Sequence, residues 1–265
     1  MLIEARVVAS GAELHRLPHS RFQDMTFKLL MPWEQSFQGS DANDSVLNFY
    51  SNKKFDLGEG DNVLLDFGRN TKATSGAGND TFILWGADQD ITSDGGNNFV
   101  LMFGSGENRI LLGDGNDVIS AFAGDNFVVS GGGDDVIKTA GGDDNIFAGD
   151  GDDELFGGGG HNYMNGGSGD DVLVAQGTVM DAMRGGSGKD IFDISQAAGN
   201  IRINDLNGSE GDTIRLTALQ DNRSFIDILG RSFDGNPEVS FVLPNGKEIT
   251  IETETGFEGI NFEIV

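Results

Sequence analysis

From residue 39 to residue 193 the chain repeats a nine-residue pattern in which one position is never polar. LGDGNDVIS, residues 112–120, is a representative unit. Seven units share one register over 39–101 and eight more fill 103–174; a ten-residue unit (175–184) and a last nine (185–193) follow. Met102 falls between the first two blocks and reads as a one-residue insertion. The eighth position runs from Val46, Phe55, Leu64 and Ala73 to Leu173, Met183 and Phe192, and is apolar in every unit although Asp, Asn and Gly surround it. A unit with a single inward side chain has no core of its own; only stacking makes the core continuous.

Nine residues are too few for a pair of helices. The six polar, Gly-rich residues of a unit make a turn, and the x-apolar-x triplet makes a short strand with its middle side chain inward. Glycine lets such turns take positive φ and approach one another closely. Two units complete one coil, so strands stack in parallel on two faces of a flattened solenoid. The expected fold is all-β, a right-handed parallel β-roll over 39–193, with residues 1–38 as an N-terminal β cap and 194–265 as a C-terminal one.

Composition narrows the alternatives. Glycine is abundant (41 residues) but proline is scarce (4), which excludes collagen. The chain is 37% hydrophobic with 19 Phe, enough for a core. A formal charge of −26 excludes nucleic acid as an electrostatic partner, argues against anionic membrane surfaces, and makes any compact form self-repelling unless cations join it. No cysteine is present to form a disulfide. The first residues carry Glu4, Arg6 and Glu13 and do not read as a cleavable signal peptide. No window is long and apolar enough for a transmembrane segment.

The tandem units resemble the repeats-in-toxin (RTX, hemolysin-type) family, whose nonapeptide G-G-x-G-x-D-x-U-x is a calcium-binding β-roll repeat. The resemblance implies that the sixth-position Asp and the turn carbonyls of stacked units hold Ca²⁺, a hard ion that takes six to eight oxygens. It also implies type I secretion, with the secretion machinery as a partner.

With two units per coil, alternate units share an edge. One edge carries Asp44, Asn62, Asp80, Asn98, Asp117, Asp135, Asp153, Asp171 and Asp190 at the sixth position. In the aspartate run its second and fourth positions are glycines: Gly113, Gly115, Gly131, Gly133, Gly149, Gly151, Gly167, Gly169, Gly186 and Gly188. Four good calcium sites are expected between Asp117 and Asp190, with weaker ones upstream. The other edge begins with Lys53, which would repel a cation, and recovers only around Asp144. A column of unneutralised carboxylates a few ångström apart would repel itself, so the column itself asks for a cation.

Residues 194–265 include the hairpin signal VSFVLPNGKEITIE and the apolar run SFIDIL. The closing FEIV resembles the end of an uncleaved C-terminal export signal. LIEARVV and MTFKLLM suit strands in the N-terminal cap. No catalytic constellation stands out: Pro18 breaks HRLPH, His161 stands apart, and G-x-S-x-G and H-E-x-x-H are absent. Recurrent Asp-Asp pairs suit a turn ligand beside a solvated neighbour.

Phe49, Phe67 and Trp85 recur 18 apart, with Phe122 further along the same edge; Lys53, Lys54, Arg69 and Lys72 lie beside them. That stripe fills calcium-poor turns, or else binds an acidic, alginate-like polysaccharide through Phe49, Phe67, Trp85, Lys53, Arg69 and Lys72. The leading expectation is a secreted, extracellular or cell-surface, non-enzymatic calcium-binding protein that folds on calcium. The alternative is a polysaccharide-binding module, free-standing or partnering an epimerase, lyase or protease.

Overall fold

A computed structural model describes residues 26–197, 199–216, 238–242, 248–253 and 260–264. Among these residues there are 24 strands and no helix, divided into two twelve-stranded sheets. Successive strands alternate between the sheets. The first runs from Thr26–Leu29 and Asp44–Asn48 to Thr213–Leu216 and Asn261–Ile264; the second runs from Ser36–Gln38 and Lys54–Asp56 to Asn200–Leu206 and Glu248–Thr253. Apart from one closing antiparallel strand, all pairings are parallel, which makes the molecule a parallel β-solenoid.

The eighth-position residues form the two inner columns. In the first sheet Val46, Leu64, Phe82 and Val100 are in register, and the column continues through Ile119, Ile137, Leu155, Leu173, Phe192 and Ile214. The second sheet contributes Phe55, Ala73, Ile91, Ile110, Val128 and Ile146, then Met164, Met183 and Ile203. All of them are buried. Burying a side chain of this size contributes roughly 1.5–3 kcal/mol, and no single unit supplies more than one at this position.

Met102 is not the insertion. It lies in the strand Phe99–Met102, fully buried and in register with Leu84 and Ala121. The extra residue sits in the following turn: Phe103 stacks on Trp85, 18 positions earlier, whereas the backbone N–H of Gln89 meets Asn108, 19 positions later. A strand with one more residue would turn its inward side chains outward; a turn absorbs it.

The strand expected within MTFKLLM is Thr26–Leu29, which starts the first sheet, while LIEARVV and SFIDIL lie outside the described residues. Glu238–Val242 pairs antiparallel with Glu248–Thr253, as the hairpin signal anticipated. Past residue 193 the coil continues: Asn200–Leu206 stacks on Met180–Ser187, and Thr213–Leu216 on Ile191–Asp193.

Candidate metal centre

The sixth-position column lies where each coil passes from the second sheet into the first. Glycine is required there because successive turns nearly touch. Gly151 has φ +132°, and a Cβ on it would stand 2.3 Å from the Gly133 carbonyl oxygen; at Gly169 the corresponding distance to the Gly151 oxygen is 2.1 Å.

This close stacking holds the carboxylates in a ladder. The backbone N–H of Asp117 donates to Oδ1 of Asp135 (2.7 Å), Asp135 to Asp153 (2.7 Å), Asp153 to Asp171 (2.9 Å) and Asp171 to Asp190 (3.0 Å). The same ladder runs upstream from Asp44 through Asn62, Asp80 and Asn98 to Asp117. It ends downstream on Asp212, which accepts from the N–H of Asp190 and also from that of Asn207.

One oxygen of each aspartate in the run is thereby fixed. The other, Oδ2 of Asp117, Asp135, Asp153, Asp171 and Asp190, is buried and meets no donor. Oδ1 of Asp44 and Oδ2 of Asp144 are in the same position. A buried carboxylate oxygen without a partner is costly. Burial raises Asp117, Asp153 and Asp190 to about 7 and Asp171 to about 6, and it raises Asp135 and Asp144 as well. Among the described residues no three acidic or histidine side chains converge on one point. A cation in this column therefore meets one unpartnered carboxylate oxygen per rung and must complete its shell from turn carbonyls. Such all-oxygen, mixed carboxylate and carbonyl ligation suits Ca²⁺.

The upstream rungs differ. Asn62 turns its Nδ2 onto the carbonyls of Gly60 (2.8 Å), Gly58 and Glu59 (both 3.3 Å), and Asn98 donates to Gly96 O at 2.8 Å. Asp80 has Ser93 Oγ within 3.5 Å of Oδ2. These asparagines thus supply N–H groups as well as oxygens.

The neighbours of the sixth-position aspartates are not merely solvated. Asp134, Asp152 and Asp170 form an outer ladder in which Oδ1 of Asp134 accepts the N–H of Asp152 (3.0 Å) and Oδ1 of Asp152 that of Asp170 (2.8 Å). The regular Asp-Asp doublet encodes two ladders running in opposite directions.

On the opposite edge Lys53 is buried, 3% exposed, with its ammonium donating to the carbonyls of Pro32 (3.0 Å) and Glu34. Lys53 therefore holds a turn from within and does not face a ligand. Asp144 accepts from the backbone N–H and Nδ2 of Asn126. Lys72 pairs with Asp90 at 3.0 Å, and Arg69 remains on the surface.

Phe49, Phe67, Trp85, Phe103 and Phe122 form one exposed stack with centroids 4.3–5.4 Å apart. Phe103 joins this stack because the extra residue follows it, in the turn before Asn108. The rings cover one another's faces and show their edges to solvent.

A family model, the RTX calcium-binding nonapeptide repeat, matches in four copies over residues 104–137 and 139–173. No curated protein and no solved structure matches the chain. The matched stretch contains the rungs Asp117 to Asp171. The chain carries RTX repeats in a β-roll, and RTX repeats bind calcium.

Proposed function

We propose that calcium fills the edge from Asp117 to Asp190 and that the protein completes its fold there, outside the producing cell, after export by a type I route. The observation that carries this reading is the run of five buried aspartates, each with one oxygen fixed by the backbone and the other meeting no donor. Calcium supplies the positive charge that those oxygens lack. The ligands are the five aspartates with carbonyls of the glycine turns from Gly113 to Gly188; Asp44, Asp80 and Asp144 offer weaker positions. Extracellular calcium modules bind at about 10⁻⁴–10⁻³ M, so cytosolic calcium leaves such sites empty and millimolar calcium fills them. Binding only to the folded state stabilises it by mass action.

The role we assign is structural and non-enzymatic, at a cell surface or in an extracellular matrix. His161, the one histidine among the described residues, is exposed, its backbone N–H on Asp143. The residues on either side of the roll serve as caps for its end coils. A calorimetric calcium titration followed in parallel by circular dichroism tests the reading: sheet signal and several binding sites should appear together near millimolar calcium. Full sheet signal in excess EGTA, with no heat of binding, would refute it.

The exposed ring stack favours a second reading, an acidic polysaccharide lying along the edge that carries Arg69. Only the two end rings, Phe49 and Phe122, keep an outer face for stacking. Retention on alginate that disappears in a Phe49→Ala, Arg69→Ala, Phe122→Ala variant would support it; equal retention of both proteins would not.

A further inference from the structure

We infer that the roll has two parts with different calcium requirements: the coils upstream of residue 111 close their turns with their own side-chain N–H groups, and only the coils from Asp117 onward need the cation. The inference rests on the calcium reading above and adds a boundary to it.

A calcium-binding turn has carbonyl oxygens that converge with nothing positive between them. In the upstream coils, side-chain N–H groups occupy that place. Asn62 Nδ2 has three carbonyls within 3.3 Å, and Asn98 Nδ2 has the Gly96 oxygen at 2.8 Å. On the opposite edge the Lys53 ammonium lies on two carbonyls, and Gln89 Nε2 donates to Gly68 O (3.1 Å) and Ala87 O (3.0 Å). Asn48 Nδ2 donates to Tyr50 O at 2.7 Å and to the buried Asp66 carboxylate, which also takes the hydroxyl of Thr71. An N–H donor satisfies a carbonyl as a cation does, without needing one from solution. The contrast belongs to the first edge: at Asp117, Asp135, Asp153, Asp171 and Asp190 the sixth-position side chain brings no donor and leaves a buried oxygen without a partner, as Asp44 does at the start of the roll. The opposite edge keeps amide donors downstream too, with Asn126 Nδ2 on Gly124 O at 2.8 Å.

Charge divides at the same boundary. Residues 39–111 hold 11 acidic and 5 basic side chains, whereas residues 112–193 hold 16 and 3. Four of the five parallel-stacked rings lie upstream, whereas the downstream row Phe127, Phe147 and Tyr163 meets at tilted angles of 46° and 50°. The upstream sheets can then form first and offer the open strands Phe99–Met102 and Glu107–Leu111 as a template for the next coil. Calcium sets how far the roll extends from that template.

Hydrogen–deuterium exchange of the full chain, resolved by peptide, tests the boundary. In excess EGTA, peptides within 54–102 should exchange at least about 100-fold more slowly than unstructured chain, and peptides within 118–193 at the unstructured rate. In millimolar calcium both should be protected. If both regions exchange freely in EGTA and both are protected with calcium, the boundary is wrong while the calcium reading stands. If both are protected in EGTA, both ideas fail. An Asn62→Asp, Asn98→Asp variant removes the first-edge donors: the upstream coils should lose protection in EGTA and regain it with calcium. Unchanged protection in EGTA would show that these amides do not replace the ion.

Discussion

At the residue scale, each aspartate of the run divides its two oxygens between two tasks. Oδ1 accepts a backbone N–H from the preceding coil and fixes the rotamer; Oδ2 is held buried without a donor. This arrangement has a pH signature in calcium-free protein. Burial places Asp117, Asp153 and Asp190 near 7 and Asp171 near 6, above their unfolded value. A carboxyl with a raised folded pKa binds more protons folded than unfolded, so stability falls as pH rises from about 4 towards 7. In EGTA the downstream coils, unstructured at pH 7.5, should therefore gain sheet signal and exchange protection at pH 5. In saturating calcium the order reverses, because protons compete with the ion; downstream structure independent of pH in EGTA would contradict the ladder. Asp135→Asn should weaken the two neighbouring sites. Loss of an outer-shell partner alone costs about 10–100-fold in metal affinity, so tenfold or more is expected by calorimetry. Lys53→Ala should leave calcium stoichiometry unchanged but lower stability by about 1 kcal/mol in denaturant titration, since it removes the ammonium that ties two part-buried carbonyls together. The aspartate column was legible because an acid returning every second unit of a two-unit coil must share one edge. The asparagines were not: Asn62 and Asn98 read as oxygen ligands, and only the ring of carbonyls around Asn62 shows which end of the amide faces them.

At the element scale, strands of three to eight residues carry the fold by repetition, and each depends on its neighbours. Ile137 sits in mid-column, in register with Ile119 and Leu155. Ile137→Ala should cost about 2–5 kcal/mol, measured by calcium-saturated unfolding. Gly151→Ala adds a Cβ 2.3 Å from a carbonyl at φ +132°, so it should cost at least about 1–3 kcal/mol and loosen the neighbouring calcium turns. The eighth-position rule located the inner columns because nothing but burial demands an apolar residue there. It could not place the extra residue near 102, because Met102 and Phe103 are both apolar and either fits a strand. Nor did it follow the roll past residue 193, where spacing stretches to 20 between Met183 and Ile203 and 22 between Phe192 and Ile214. The longer turn around Asp205 and Asp212 hides the repeat, although its side chains still cap it: Asp205 accepts the N–H groups of Gly185 and Gly186, both at 2.9 Å.

At the scale of the whole molecule, a chain of formal charge −26 has stacked many of its acids into ladders, which is the least favourable arrangement without counter-ions. On the proposed reading calcium neutralises the inner ladder where the charge is densest, so raised monovalent salt should substitute only in part. A circular dichroism series in EGTA should show about half the calcium-induced signal or less even at 1 M NaCl, where the Debye length is about 3 Å. The most direct measurement of the central claim is an anomalous difference map from crystals grown in calcium. The account predicts a row of four peaks between successive rungs from Asp117 to Asp190, each against the oxygen that has no donor. A well-ordered roll with no peaks along that edge would contradict it.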